Sequence, residues 1–512
     1  MFLLQANTTS LFNVADLQLI APELILTACA CIALVMEVIL PYRKTKLTAY
    51  FALIGVALAG VSLAIQWSSM PESASLDGFY GMVRIDGFAL LFKAVFLIGA
   101  ALAIGISTRY LDIEGEQHGE YYALILFATV GMMFLACGYD LITLYIGLEL
   151  MALTFYVLVA FTKREKKSNE AAMKYFLLGA FSSGVLLYGM SLLYGIAGST
   201  NVGEIGQAIA AALGNLQGAG ENSTLRPLLL LAMITLAAGL FFKIAAVPFH
   251  MWAPDVYEGA PTSVTAFLST GSKAASFALY ARLFIEALGG MRADWAPLLA
   301  IVAAITIMVG NWAAVTQENS KRLLAYSSIS NAGYLLLGLI AGNSYGYVGL
   351  VIYLLVYTLM NMGAFGVIIS LRRRGMIGDN VDDMTGLGQK APALAAMMTV
   401  FMLSLGGLPV TGGFIGKYFL FGGLIQRGGA DHKNWYYWLA IWAIINTVVS
   451  FYYYFRFIKV MYLGDRLADD KPLSLSPALQ TALAVSLVGI IFIGVYPQPF
   501  IKVAQQLLQY LS

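Results

Sequence analysis

"GLFFKIAAVPFHMWAPDVYEGAPTS", residues 239–263, is an apolar run that carries a cation and then breaks. Lys243 lies inside the run, Pro248 follows five residues later, and His250, Trp252 and Asp255 come next. A proline removes a backbone donor and disturbs a helix. Interrupted helices at membrane depth are tolerated where they line a polar cavity. The stretch "LSLGGLPVTGGFIGKYFLF" repeats the device, with Pro409 among glycines and Lys417 close by. Two interrupted spans, each with a lysine, point to a duplicated transporter unit.

The rest of the chain fits that reading. It has 512 residues, 60% hydrophobic and 11% charged, against about 25% charged in soluble domains. Runs such as "LILTACACIALVMEVIL" recur throughout. Runs of about 20 apolar residues cross a bilayer as helices, whereas a barrel would show short alternating segments. The fold class is therefore an all-α polytopic membrane protein. The start "MFLLQANTTSLFNVADLQ" is too polar for a cleavable signal peptide and has no basic opening. The three cysteines, Cys29, Cys31 and Cys137, read as small residues in or beside apolar runs. No Cys/His metal spacing, GxGxxG or Walker pattern occurs, and three histidines do not suit a haem or multi-histidine metal site. The net charge of +2 gives no reason to expect a nucleic-acid partner.

Fourteen spans are expected, near 19–40, 47–67, 87–107, 121–137, 140–162, 173–197, 226–248, 261–288, 296–316, 322–341, 346–371, 391–421, 436–462 and 474–496. Residues 198–225 read as a polar loop with a short surface helix at "EIGQAIAAAL". On this count alternate loops hold sixteen basic residues on one side, among them Arg43, Lys44, Lys163, Arg164, Arg372, Arg373, Arg374, Arg466 and Lys471, and five on the other. Such a bias puts the basic loops in the cytoplasm and both termini on the opposite side.

Ionisable residues lie inside the spans. Glu149, Lys243, Lys273 and Lys417 are deep, Lys174 sits early in its span, and Lys93 and Glu37 also fall within spans. Arg282, Glu286, Arg456 and Lys459 lie near span ends and are expected to snorkel to the interface. A charge at a helix centre costs about 2.5–3.5 kcal/mol on insertion scales. Burial disfavours an ammonium and a nearby carboxylate favours it. A buried lysine whose carboxylate partner approaches and retreats can therefore take up and release a proton.

The stretches "YIGLELMALTFYVLVAF", "EAAMKYFLLGAFSSGVLLYGMSLLYG", "FKIAAVPFHMWAPDVYEGAPTSVTAFLSTGSKAA", "KRLLAYSSISNAGYLLLGL" and "GGLPVTGGFIGKYFLF" resemble the antiporter-like membrane subunits of respiratory complex I, the proton-pumping NADH:quinone oxidoreductase. "PDVYEGAP", "GSKAA" and lysine at 417 favour the N-type over its M-type sibling. The resemblance implies fourteen helices with two inverted five-helix repeats, each containing a broken helix. The division becomes 1–120, an N-terminal three-helix region; 121–288, the first repeat; 289–462, the second; and 463–512, the last helix and tail. It implies roles too: Glu149 as the family carboxylate, Lys243 as its paired lysine, Lys273 as the central relay lysine and Lys417 as the terminal one. Lys174 matches a further lysine near the carboxylate, and His250 a histidine after the broken helix. Many members carry histidine where this chain has Asn331. Asparagine cannot take up a proton near neutral pH, so water or a hydroxyl of Ser328, Ser330 or Tyr334 must serve there.

The function implied is a proton-translocating subunit in a bacterial inner membrane, driven by quinone reduction elsewhere in the complex. The expected partners are other complex I membrane subunits and the lipid bilayer. This chain is expected to hold no cofactor, with NAD, flavin, iron–sulfur clusters and quinone on partner subunits. A cation/proton antiporter subunit of the multi-subunit sodium/proton class is the alternative; a structural scaffold and a solute carrier follow. The deep charges are mostly lysines, which suit protons better than sodium. A polar line is expected at mid-depth, from Glu149 through Lys243 and Lys273, past Tyr334 and Asn331, to Lys417.

Overall fold

A computed structural model of the protein describes residues 14–39, 46–70, 75–218, 225–372, 378–464, 473 and 475–508. Arg43, Lys44, Arg373, Arg374, Arg466 and Lys471, and most of the N-terminal stretch weighed as a leader, lie outside the described residues.

Fourteen spans follow one another. The first six are Ala21–Ile39, Lys46–Ser69, Gly87–Glu114, Gly119–Cys137, Leu141–Val159 and Lys166–Ala197. The seventh is broken, as Leu225–Ile244 and Trp252–Gly259. The eighth alternates α-helix (Thr262–Phe267, Lys273–Tyr280) with π-helix (Leu268–Ser272, Ala281–Ala287). Arg292–Val315, Ser320–Ala341 and Ser344–Leu371 come next, then a broken twelfth, Pro392–Gly406 and Gly412–Asp431, and finally Trp435–Leu463 and Pro477–Val495. Twelve of the helices are long and apolar enough to cross a membrane unaided; the π-interrupted eighth and the broken twelfth complete the fourteen.

Polar caps fix several starts. Asp86, Asp140, Asn319, Asn343 and Ser476 each accept a backbone N–H of the helix that follows, satisfying donors that lipid could not. The sixth span begins at Lys166 rather than near 173, so Lys174 lies in its third turn. The polar segment after it forms a longer helix than the motif suggested, Val202–Gly218. A short hairpin, Leu76–Gly78 with Val83–Ile85, joins the second and third spans.

Both breaks need unusual backbone. Ala245 has φ 57° and the Val247–Pro248 peptide is cis; in the second break Gly407 has φ 85° and Val410 φ 73°. A β-branched residue there is an outlier that packing must hold. Because successive spans reverse direction, the seventh and twelfth run oppositely through the membrane, so the chain carries two broken helices of opposite direction.

The tenth and eleventh spans are almost wholly enclosed by protein, whereas the first, second, thirteenth and fourteenth leave most of their surface open. The fourth and fifth meet through glycines: a Cβ on Gly131 would lie 2.8 Å from the Gly147 oxygen. Small residues let membrane helices approach this closely. The snorkelling expected of Arg282 does not occur. Its side chain is fully enclosed, donates to the Ala136 carbonyl and pairs with Asp86 and Glu286 at 2.8 and 2.7 Å. Those partners come from other helices and from its own next turn, so linear distance to the span end could not reveal them. Lys459 is exposed.

Candidate functional site

The second break shows how the chain holds a cation in lipid. Pro392–Gly406 ends with carbonyls that have no helical partner, and these carry the negative end of the helix dipole. Lys417, on the other half-helix, reaches back and donates to Leu405 and Gly406 at 3.0 and 3.2 Å. Its ammonium also lies 4.8 Å from the centre of the Tyr334 ring, a cation–π contact. Lys417 is buried, and no carboxylate touches it among the described residues.

The first break is built differently. Lys243 lies before the break, in the last turn of the first half-helix, whereas Lys417 lies after its break. The carbonyls at the first break are taken instead by Ala246 N–H, on Phe241, and by the Trp252 indole, on Phe242 at 3.0 Å. Lys243 is therefore free to turn sideways, where it donates to the Ser183 hydroxyl at 3.2 Å. Glu149 is the carboxylate that the sequence resemblance pairs with it. The two form no direct ion pair, and one Glu149 oxygen is buried without a hydrogen-bond partner.

Lys273 opens the α-helical turn after the first π-helical stretch and donates to the Ser328 carbonyl of the tenth span. π-Helical turns inside α-helices are rare and frequent at functional sites. From Ser328 a polar series runs through the tenth span. The Ser328 hydroxyl meets Tyr257 at 3.2 Å. Next to it, Ser327 meets the Tyr454 hydroxyl at 2.5 Å. Asn331 donates to the Ser327 carbonyl and accepts from Tyr353 at 2.6 Å. Tyr453, whose ring lies tilted against that of Tyr454 with centroids 4.4 Å apart, donates to Asn311, and Asn311 donates to Tyr334 at 3.3 Å. Lys417 sits on the Tyr334 ring. Lysines thus stand at both ends of a series of hydroxyls and amides.

These placements carry a pattern of sequence. The family model described as NADH:quinone oxidoreductase/Mrp antiporter, TM, matches residues 138–447, which take in every group just named except Tyr453 and Tyr454. The chain belongs to that family. Within the NADH:quinone oxidoreductase/Mrp antiporter family it is an N-type member. NADH-quinone oxidoreductase subunit N 2 of Solibacter usitatus (strain Ellin6076) is 48% identical over 96% of this chain and 98% of its own length. A chain of respiratory complex I from Thermus thermophilus with bound aureothin is 31% identical, covers 94% of this chain and 99% of its own, and superposes with a TM-score of 0.76. A chain of the Mrp complex from Dietzia sp. DQ12-45-1b shares the fold, with a TM-score of 0.81 over 98% of both chains, at 19% identity.

Two of the family-matched positions lie apart from the series. Lys174 is 42% exposed and pairs with Glu170 and Asp255 at 2.8 and 2.9 Å. The carboxylates it meets are these, not Glu149. Asp255 and Glu258 also bind Arg322, tying the sixth span, the second half of the seventh and the tenth into one charged cluster. His250 lies within the first break, half-buried, with Nδ1 unpartnered. The hydroxyls that Asn331 bonds are those of Tyr353, at 2.6 Å, and Ser327, at 3.4 Å, not Ser328, Ser330 or Tyr334. Sequence reasoning also missed Ser183, Asn311, Tyr453 and Tyr454. Their signal was a polar group in an apolar run, which the many back-bonded serines and threonines of these helices share.

Proposed function

We propose that the protein is a proton-translocating membrane subunit of a complex I-type NADH:quinone oxidoreductase. Protons move through Glu149, Lys243, Lys273 and Lys417, driven by quinone reduction on partner subunits. NAD, flavin, iron–sulfur clusters and quinone belong on this reading to those partners, and so does the redox part of the enzyme. The partners include the other membrane subunits. The complex lies in a bacterial inner membrane, with the basic loops in the cytoplasm and both termini on the opposite side. The functional division is 1–120, 121–288, 289–462 and 463–512, with the two middle units acting as inverted halves.

The observation that carries the reading is the polar series between Lys273 and Lys417, through Ser328, Ser327, Asn331, Tyr353, Tyr454, Tyr453, Asn311 and Tyr334. Burying so many polar groups stabilises nothing that an apolar core would not, but a hydroxyl both donates and accepts, so it can hand a proton on. Asn331 and Asn311 hold the series together without titrating, so a proton passes them through neighbouring hydroxyls or internal water. Between Glu149, Lys243 and Lys273 the links are open and call for internal water. A sodium/proton antiporter is the competing reading, because the fold is shared with the Mrp chain. The deep cations here repel sodium, and the lysines of the series have carbonyls and hydroxyls as partners rather than a carboxylate cage.

The test is proton uptake and quinone reduction by the whole complex in proteoliposomes. Lys243→Ala and Lys417→Ala should each lower protons moved per electron. An unchanged ratio in both variants makes this chain a scaffold.

A further inference from the structure

A second buried charged cluster lies off the lysine line, on the side opposite the basic loops. Arg282 is its centre. The residue stands nine positions after Lys273 on the eighth span, and Glu286 follows one turn later. Arg282 joins the Ala136 carbonyl at the end of the fourth span, Asp86 at the start of the third, and Glu286. One turn and a half into the third span, Lys93 pairs with Glu23 of the first at 2.6 Å, both side chains at most 1% exposed, and the Cys137 thiol donates to the same Glu23 oxygen. Glu23 Oε2 is buried without a hydrogen-bond partner. So is the hydroxyl of Tyr280, between Lys273 and Arg282 on the eighth span. Glu286, 14% exposed, is the member that reaches solvent. Beyond it Arg84 stacks on Tyr139 and binds Asp77, which is 45% exposed.

A structural staple needs one pair. Breaking a single buried pair is already costly, and apolar packing does the same work more cheaply. Here three carboxylates from three helices surround one guanidinium and one ammonium, and the group is graded from enclosed to exposed. Along the helix, Lys273 to Glu286 is about 20 Å, the distance from mid-bilayer to its edge. Arginine stays protonated at all relevant pH, so Arg282 acts as a fixed charge and the carboxylates are the groups that can carry protons.

We propose that Asp86 and Glu286, held by Arg282 and backed by the Glu23–Lys93 pair, form a proton-release site that connects Lys273 to the side opposite the basic loops. This rests on the proton-translocating reading. In the step, the Lys273 ammonium gives a proton through water past Tyr280 to a carboxylate of the site, leaving a neutral amine and a carboxylic acid. The acid O–H then breaks towards outside water, giving hydronium and restoring the carboxylate to Arg282. Lys273 thereby stands at a branch, with Lys417 at the end of one arm and Glu286 at the end of the other.

The test uses the whole complex in proteoliposomes, with Glu286→Gln and Asp86→Asn as variants that keep shape and lose the carboxylate. Lys273→Ala is the comparison, and Asp294→Asn, which breaks the exposed Arg226–Asp294 pair on the same side, is the control. Protons released per electron should fall in Glu286→Gln and Asp86→Asn to the value seen in Lys273→Ala, and stay unchanged in the control. The infrared difference spectrum of the energised complex should show a protonated-carboxyl band that Glu286→Gln removes. A ratio that falls in Lys273→Ala but not in Glu286→Gln overturns the release site and leaves the proton-translocating reading standing. A ratio that falls in none of the three overturns both. Glu286 is partly exposed and decides the matter alone if Asp86→Asn prevents assembly.

Discussion

Lys417 on one half of the broken twelfth span donates to the Leu405 carbonyl on the other half at 3.0 Å. The cation that the proposed mechanism needs is thus the group that closes the break. Loading and unloading that lysine would change the bond that joins the half-helices.

Replacing it should therefore affect structure and transport together. In Lys417→Ala two carbonyls lose a charged donor, and such bonds contribute about 1.5–3 kcal/mol each. Thermal unfolding of the complex should shift down, and pumping per electron should fall. Lys417→Arg should restore most of the stability, because it can still donate, but not the pumping, because it keeps its proton. Full recovery of pumping by arginine would sink the proton-carrier role.

Asn331 links two hydroxyl branches. In Asn331→Leu the Tyr353 hydroxyl loses its acceptor, at about 1–3 kcal/mol for a buried unsatisfied group, while the Ser327 carbonyl keeps the Ser330 hydroxyl. Stability and pumping should both drop. Asn331→His should recover pumping, since imidazole both bonds and titrates. If Asn331→Leu pumps as the parent does, the series does not pass this residue.

Glu149 and Lys243 form no direct ion pair, and the proposed mechanism couples them. Glu149→Gln and Lys243→Ala should each reduce pumping, and the double variant should reduce it by less than the product of the single effects. Ser183→Ala, which removes the bonded hydroxyl of Lys243, should have a smaller effect in the same assay. Strictly multiplicative losses from the two charges would show that they work independently.

The hairpin between the second and third spans gives a pH test outside the membrane. The hydrogen bond from Arg84 holds the Asp77 carboxyl below its ordinary value of 3.8, against a smaller opposing push from burial. A lowered folded value means the pairing stabilises above the ordinary value and is lost as pH falls through the lowered one. Protection of the amides of residues 76–85, taken relative to their intrinsic exchange at each pH, should be high at neutral pH and fall in strong acid. Asp77→Asn should show the low acid-state protection at neutral pH as well; equal protection in parent and variant at neutral pH would refute the role of the pair.

Sidedness is measurable directly. A single cysteine at 164 should react with impermeant thiol reagents only from the cytoplasmic face of inverted vesicles, and one at 199 only from the other. Labelling of position 164 in intact cells would contradict the assigned orientation.

The sequence by itself determined the number of spans, the position of both breaks and the deep ionisable residues. These follow from one-dimensional physics: a stretch of about 20 apolar residues must span as a helix, proline and glycine interrupt it, and a charge inside it is costly enough to stand out. The resemblance of "FKIAAVPFHMWAPDVYEGAPTS" and "GGLPVTGGFIGKYFLF" to a known family added roles to positions already visible.

Only the tertiary structure decided which groups those charges meet. Lys417 and Lys243 look alike in sequence, one proline away from each, yet one closes its break and the other turns to Ser183. Lys174 reads as an early residue of its span near the carboxylate Glu149, but it meets Asp255 and Glu170 at the surface. Arg282 reads as a snorkelling end residue but is enclosed by Asp86 and Ala136, which lie more than a hundred positions away. Tyr353, Tyr453 and Asn311 gave only the weak signal of a polar group in an apolar run, because a tyrosine or asparagine in an apolar helix is common. Its meaning depends on whether a second helix places a partner within about 3 Å, and no local pattern records that distance.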